Sequence, residues 1–195
     1  MKKMFLLLLI AGFILTSSTV FAAERFPLGE GNLAVKLDYI KFTDSDLKDI
    51  DVDSGVYIGL EGYGLITEDN LYLGAEIGYT NSSGEFTDPI AGSTGTRLMY
   101  LPIEVNLKYA VAAASHVVFD IGAGLSYNYA KLKMYGDSAD DWMFGGQAFM
   151  DLDFTFNHFF FGISGKYQIG QDFKKDNRQF SCNNWRIGGQ IGVLF

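Results

Sequence analysis

The sequence predicts an all-β fold, an eight-stranded antiparallel up-and-down transmembrane β-barrel, and three observations predict it. The first is the last segment. Trp185, Ile187, Gly189, Ile191, Val193 and Phe195 share one face; Arg186, Gly188, Gln190, Gly192 and Leu194 share the other. Strand side chains alternate between sides, so one face is apolar and the other small or polar. The second is that seven more segments of this kind precede it. The third is an export signal on a chain whose longest later uninterrupted apolar run is Tyr109 to Ala114. A spanning helix needs about 20 apolar residues. Only helices and closed barrels satisfy every backbone group in lipid.

The segments follow in order, each with period-2 alternation. The first, Leu33 to Lys41, sets Leu33, Val35, Leu37 and Tyr39 against Lys36 and Asp38. The second, Gly55 to Tyr63, sets Val56, Ile58 and Leu60 against Tyr57, Gly59 and Glu61. The third, Leu71 to Thr80, sets Leu73, Ala75, Ile77 and Tyr79 against Gly74, Glu76 and Gly78. The fourth, Arg97 to Tyr109, sets Met99, Leu101, Ile103, Val105 and Leu107 against Glu104, Asn106 and Lys108. Pro102 removes one ladder donor there, and a bulge is expected to accommodate it. The fifth, Val117 to Lys131, sets Phe119, Ile121, Ala123, Leu125, Tyr127 and Tyr129 against Asp120, Gly122, Gly124 and Ser126. The sixth, Trp142 to Phe154, sets Phe144, Ala148, Met150 and Leu152 against Gln147, Asp151 and Asp153. The seventh, Phe159 to Ile169, sets Phe161, Ile163 and Tyr167 against Ser164, Lys166 and Gln168.

Lys2 and Lys3, the apolar stretch Met4 to Leu15 and the small residues before Ala22 make a secretory signal peptide, residues 1–22. The barrel is then 23–195. Removing Lys2 and Lys3 from the 15 basic residues leaves 13 against 23 acidic, a net charge of −10. That acidity argues against nucleic acid as a partner. Cys182 is the only cysteine, so no intramolecular disulfide forms. With both ends periplasmic, 43–53, 81–96, 132–141 and 171–182 are extracellular, and the shorter 64–70, 110–116 and 155–158 are periplasmic.

A soluble barrel would turn the apolar face inward. Two features argue for the reverse. The polar face carries Gly55, Gly59, Gly74, Gly78, Gly122, Gly124, Gly145, Gly162, Gly170, Gly188 and Gly192, which suits a crowded interior. The apolar face ends in aromatics: Tyr39, Tyr79, Tyr127, Tyr129, Trp142, Tyr167 and Trp185 outside, and Tyr109, Phe154, Phe159 and Phe195 on the periplasmic side. Such girdles mark membrane interfaces. Over its mature length the chain resembles the small OmpA/OmpX-type outer-membrane barrels, by pattern rather than by a residue motif. The resemblance implies that barrel-assembly machinery reads the C-terminal strand through Phe195 and that the chain is a monomer; since the sequence stops at the barrel, the peptidoglycan-binding domain of full-length OmpA proteins is not expected.

Inward parity falls on the cations Lys36, Lys108, Lys166 and Arg186 and the anions Asp38, Glu61, Glu76, Glu104, Asp120, Asp151 and Asp153. Charges out of bulk water need partners. A lumen plugged by charge pairs is expected, with Arg186 paired to a carboxylate on a neighbouring strand. Outward parity at extracellular strand ends falls on Lys41, Arg97, Lys131 and Lys133, which either meet lipopolysaccharide phosphates or simply snorkel at the interface. A turn at 110–116 sets Arg97 across from Tyr129 and Lys131. Loop 43–53, with Asp44, Asp46, Asp49, Asp51 and Asp53, reads as a solvated acidic loop lacking the glycine and glutamate of a calcium loop. It should neighbour Lys174, Lys175 and Arg178. Some small barrels modify lipid A with rim serine and histidine. His116 and His158 instead fall in periplasmic turns, so no catalysis, cofactor or metal is expected. The function expected is a structural or surface-interaction role beside outer-membrane lipid and lipopolysaccharide. The alternatives are a narrow pore or a lipid A-modifying enzyme.

Overall fold

The computed structural model describes residues 27–88, 92–134, 137–175 and 178–195; the signal segment 1–22 lies outside them. The elements are β1 (Gly31–Phe42), α1 (Ser45–Asp49), β2 (Ser54–Thr67), β3 (Leu71–Asp88), β4 (Gly92–Ala114) and β5 (Val117–Met134). Then come β6 (Asp137–Phe156), β7 (Phe159–Gly170), β8 (Phe173–Lys175), β9 (Arg178–Phe180) and β10 (Asn184–Leu194). Eight strands form a closed ring in the order β1-β10-β7-β6-β5-β4-β3-β2, and β8 and β9 form a separate hairpin. Closure leaves no edge in the membrane. The start of β1 and the end of β10 lie at one mouth, joined by Gly31 N to Phe195 O at 2.8 Å and Phe195 N to Gly31 O at 2.9 Å.

Strand parity sorts the side chains as the apolar pattern requires. Leu37 is 60% exposed and Ile191 64%, while their neighbours Lys36 and Gln190 are 1% and 5% exposed. An outer surface this apolar faces lipid, not water.

At the extracellular end the strands run past the girdle. Segments 81–96 and 132–141 are mostly strand, not loop. Their Ser, Thr and Asp residues still pair in register (Ser83 with Arg97, Lys133 with Ser138), but they carry no apolar stripe to read. Pro102 causes no bulge. The β3–β4 ladder omits the pairs between Ile77↔Ile103 and Thr80↔Tyr100 and resumes in the same register, so the missing donor costs ladder bonds without displacing the strand. Bulges lie instead at periplasmic ends, between Leu65 and Thr67 and between Ala112 and Ala114.

The interior is not filled by small residues alone. Large inward rings lie over glycines of neighbouring positions: Tyr57 against Gly78, Tyr63 against Gly74, Phe149 against Gly122 and Phe160 against Gly192. Each glycine is the space its neighbour's ring occupies. The result is three layers. Apolar clusters fill the extracellular end (Phe42, Tyr57, Leu98, Tyr100, Met143) and the periplasmic end (Leu28, Tyr63, Tyr72, Val118, Phe149). Charged and amide side chains fill the middle.

Loop 43–53 is not a solvated acidic loop. It folds as a lid. Asp44 caps α1, accepting from Asp46 N at 2.7 Å and from Leu47 N at 3.4 Å, which satisfies donors the first turn leaves free. Leu47, Ile50 and Val52 are buried in the extracellular cluster. The Thr96 hydroxyl donates to Ile50 O at 2.7 Å and fastens the lid to β4. Asp44 also accepts from Ser181 N at 2.6 Å, so the lid does neighbour the last loop. The side chains of Lys174, Lys175 and Arg178 lie outside the described residues.

Cys182 packs in the same apolar cluster, and burial pushes its thiol pKa up. A Cβ on Gly84 would collide with the backbone of Asp51 and Ile50, whereas one on Gly95 meets nothing within 4 Å. Gly84→Ala should therefore open the lid. Maleimide labelling of Cys182 in the folded barrel is expected to speed up about tenfold, the equivalent of ~1.4 kcal/mol. Gly95→Ala should leave it unchanged.

Candidate functional site

Arg186 is held inward on β10 between Ile40 of β1 and Lys166 of β7. Its guanidinium crosses the lumen. It meets Glu104 at 2.5 Å and Glu76 at 3.2 Å, with the Tyr57 ring centroid 4.3 Å away. In the ring β4 stands opposite β10, so the expected partner on a neighbouring strand is corrected to partners across the barrel. The level positions on its own neighbours are Ile40 and another cation, and an eight-strand barrel is narrow enough to span. Lys166 also meets Glu76 and Glu104, each at 2.5 Å. The Tyr57 hydroxyl donates to Glu76 at 2.6 Å. Two cations, two carboxylates and a phenol thus form one cluster at the centre of the lumen.

Toward the periplasm the charges are less evenly matched. Lys36 meets Glu61 at 3.3 Å, Asp151 at 3.8 Å and Glu76 at 4.0 Å. Lys108 meets Asp120 at 3.5 Å and lies 4.0 Å from the Tyr63 ring centroid. Asp120 and Asp151 face each other in the β5–β6 register. Asp153 accepts from Gln190 at 2.7 Å, and Asp38 from Ser164 at 3.1 Å. All eleven inward charges expected from the sequence lie at 6% exposure or less.

Above the ionic cluster is an amide layer that the sequence reading did not single out. Gln168 donates to Asn128 at 3.0 Å and to Ser126 at 2.8 Å, and accepts from the Tyr100 hydroxyl at 3.0 Å. Each of these residues shares parity with an inward charge, which was the available signal.

At the outer rim the four outward cations do not form one group. Lys41 on β1 pairs with Asp53 at 2.5 Å and belongs to the base of the lid. Arg97, Lys131 and Lys133 line a surface groove of about 250 Å³ with Tyr79, Asn81 and Met99. Arg97 stands opposite Lys133, not opposite Tyr129 and Lys131; those face Leu101 and Met99. β4 continues to Ala114, which tightens the turn and moves the register.

The histidines hold turns. His116 O accepts from Thr155 N at 2.9 Å and His158 O from Leu194 N at 2.8 Å. Among the described residues no His, Cys, Asp and Glu group has the grouping a metal ion needs.

No protein-family model and no curated protein matches the chain. Solved structures do. Neisserial surface protein A (NspA) superposes at TM-score 0.61 with 16% identity, covering 86% of this chain and 98% of that one. The chain has the fold of the small outer-membrane β-barrels. OprG of Pseudomonas aeruginosa follows at TM-score 0.57 and 16% identity, covering 87% and 99%. The N-terminal β-barrel domain of Pseudomonas aeruginosa OprF matches at 0.53 and 14%, covering 86% and 99%. These likenesses carry the fold. Function rests on this barrel's own side chains.

Removing Arg186 would leave Glu104 and Glu76 buried with Lys166, Tyr57, the more distant Lys36 and the Asn106 amide as their remaining partners. Arg186→Met is expected to cost about 3 kcal/mol, the low end for breaking a buried pair, because Lys166 stays. Adding Glu104→Met should recover part of that loss. Urea unfolding of the refolded barrel in detergent, followed by tryptophan fluorescence, checks both.

Proposed function

We propose that this protein is a closed, non-conducting and non-catalytic outer-membrane barrel with a structural and surface-interaction role. The observation that carries this reading is the three-layer filling of the lumen. Apolar clusters at both mouths bracket a buried charged layer centred on the Arg186–Glu104 pair, and the lid lies over the outer one. A water path would have to displace packed Tyr, Phe and Leu side chains and separate the Arg186–Glu104 pair. Packed interiors resist both changes.

Surface work then falls to the extracellular extensions of β3, β4, β5 and β6 and to the lid. The expected partners are outer-membrane lipid, lipopolysaccharide and, through β10 and Phe195, the assembly machinery. Pairing of β1 with β10 leaves no membrane edge needing a second copy, which supports a monomer.

Reconstituted into planar bilayers, the full barrel is expected to give no steady conductance above the bare membrane. Discrete open levels would favour the narrow-pore alternative. Expression is likewise expected to leave the lipid A mass spectrum of the host unchanged; loss or gain of an acyl chain would favour the enzyme.

A further inference from the structure

We infer that the groove of Arg97, Lys131 and Lys133 binds a phosphate group of an outer-leaflet glycolipid, the lipid A part of lipopolysaccharide. This site gives the lipopolysaccharide contact of the proposed role a place and a chemistry, and rests on that role only for which mouth is extracellular. Three cross-strand rows carry it. Leu101, Tyr129 and Trp142 stand side by side on β4, β5 and β6 in the outer aromatic girdle. Two residues further out the row is Asn81, Met99, Lys131 and Asp140. Two further still it is Ser83, Arg97, Lys133 and Ser138. A strand rises about 3.3 Å per residue, so the cations stand about 7 and 13 Å above the aromatic row before tilt. That is headgroup height, with acyl chains below.

Charge makes the groove incomplete alone. Arg97 and Lys133 are direct cross-strand partners, and like charges so placed repel. Lys131 adds a third positive charge on the same surface; it has Asp140 of β6 across from it, so the uncompensated pair is Arg97 and Lys133. Among the described residues none of the three has an ion-pair partner, while Lys41 at the same rim has Asp53. A phosphate between them would turn repulsion into charge-assisted hydrogen bonds, with Arg97 offering two parallel N–H groups. The lower wall, Tyr79 and Met99, is apolar enough to sit against a sugar face or the start of an acyl chain. A free phosphate would use the cations but not this wall.

The test uses the full barrel refolded into phosphatidylcholine bilayers. Added lipid A is expected to raise the parent's unfolding temperature. The variant Arg97→Gln/Lys131→Gln/Lys133→Gln should bind lipid A about tenfold more weakly or worse. Without lipid A the same variant should be as stable as the parent or more so, because the like-charge pair is gone. That sign change separates a binding site from a structural one, and it also reports that the variant folds. Lys41→Gln should respond to lipid A as the parent does. On the parent alone, high salt should reduce the lipid A effect, a measurement needing no mutant. Equal stabilisation of parent and triple variant would overturn the site. Equal stabilisation of the parent by inorganic phosphate, or by phosphatidylglycerol at matched charge, would overturn its assignment to lipid A. Neither outcome bears on bilayer conductance, so this inference and the closed-barrel reading fail separately.

Discussion

Backbone N–H and C=O groups in hydrocarbon have no water to turn to, so every ladder around this ring has to close, the last one included. That last ladder is β1 with β10, running from Asn32↔Leu194 to Phe42↔Asn184 without a shift. Its register decides more than its own stability. Side chains alternate with period two, so a slip of one residue would turn either Lys36 of β1 or Arg186 of β10 to lipid, and Leu37 or Ile187 to the lumen. Gly31 helps fix the register at the periplasmic end, because the space where its Cβ would stand is taken by the Phe195 ring. Sorting of lipid-facing from lumen-facing residues follows from closure and register together.

The ring in turn dictates what can be inside. Eight strands leave a bore that side chains must fill. The filling is geometric before it is electrostatic: rings of Tyr57, Tyr63, Phe149 and Phe160 lie where glycines leave space. Only in the central layer do charges dominate, and there long cations bridge opposite walls. The Arg186 and Lys166 contacts with Glu104 join β10 and β7 to β4. Such cross-lumen pairs add little net energy over an apolar filling but penalise any state that separates them. The interior therefore favours one arrangement rather than a set of loosely packed ones.

How much of this was legible depends on which period carries it. Inside and outside follow from parity alone, so the strands, the girdles and the inward placement of Asp153 could be read directly. Partners across the lumen could not, because they depend on stagger and bore rather than on spacing along the chain, and for Arg186 parity alone points to a neighbouring strand. The outer strand extensions escaped because Ser and Thr pair as well as Val does but leave no apolar stripe. The lid was hidden by composition. Five aspartates advertised solvent, while Leu47, Ile50 and Val52 between them carried the apolar face that turns the loop inward. The Arg97 register needed a turn position that the alanines from Ala112 to Ala114 left ambiguous.

The two mouths are built differently, and the difference bears on what the outer one can do. Periplasmic turns are tight, with Asn70 and Asn157 at φ of 61° and 51°, a region Asn tolerates better than most residues. The extracellular side instead raises β3, β4, β5 and β6 into a sheet standing above the girdle. Beyond Thr80, β3 has no ladder with β2, and before Phe144, β6 has none with β7 among the described residues. Free edges of this kind invite another strand. Asp137, Asp140 and Asp141 line the β6 edge, and the lid backbone packs against Gly84 of β3. Charge together with the adjacent β8 on the β6 edge, and lid cover on the β3 edge, are the devices that block edge-to-edge association. The raised sheet thus offers side chains rather than open backbone, and its recognition chemistry lies in outward faces such as the Arg97–Lys133 pair.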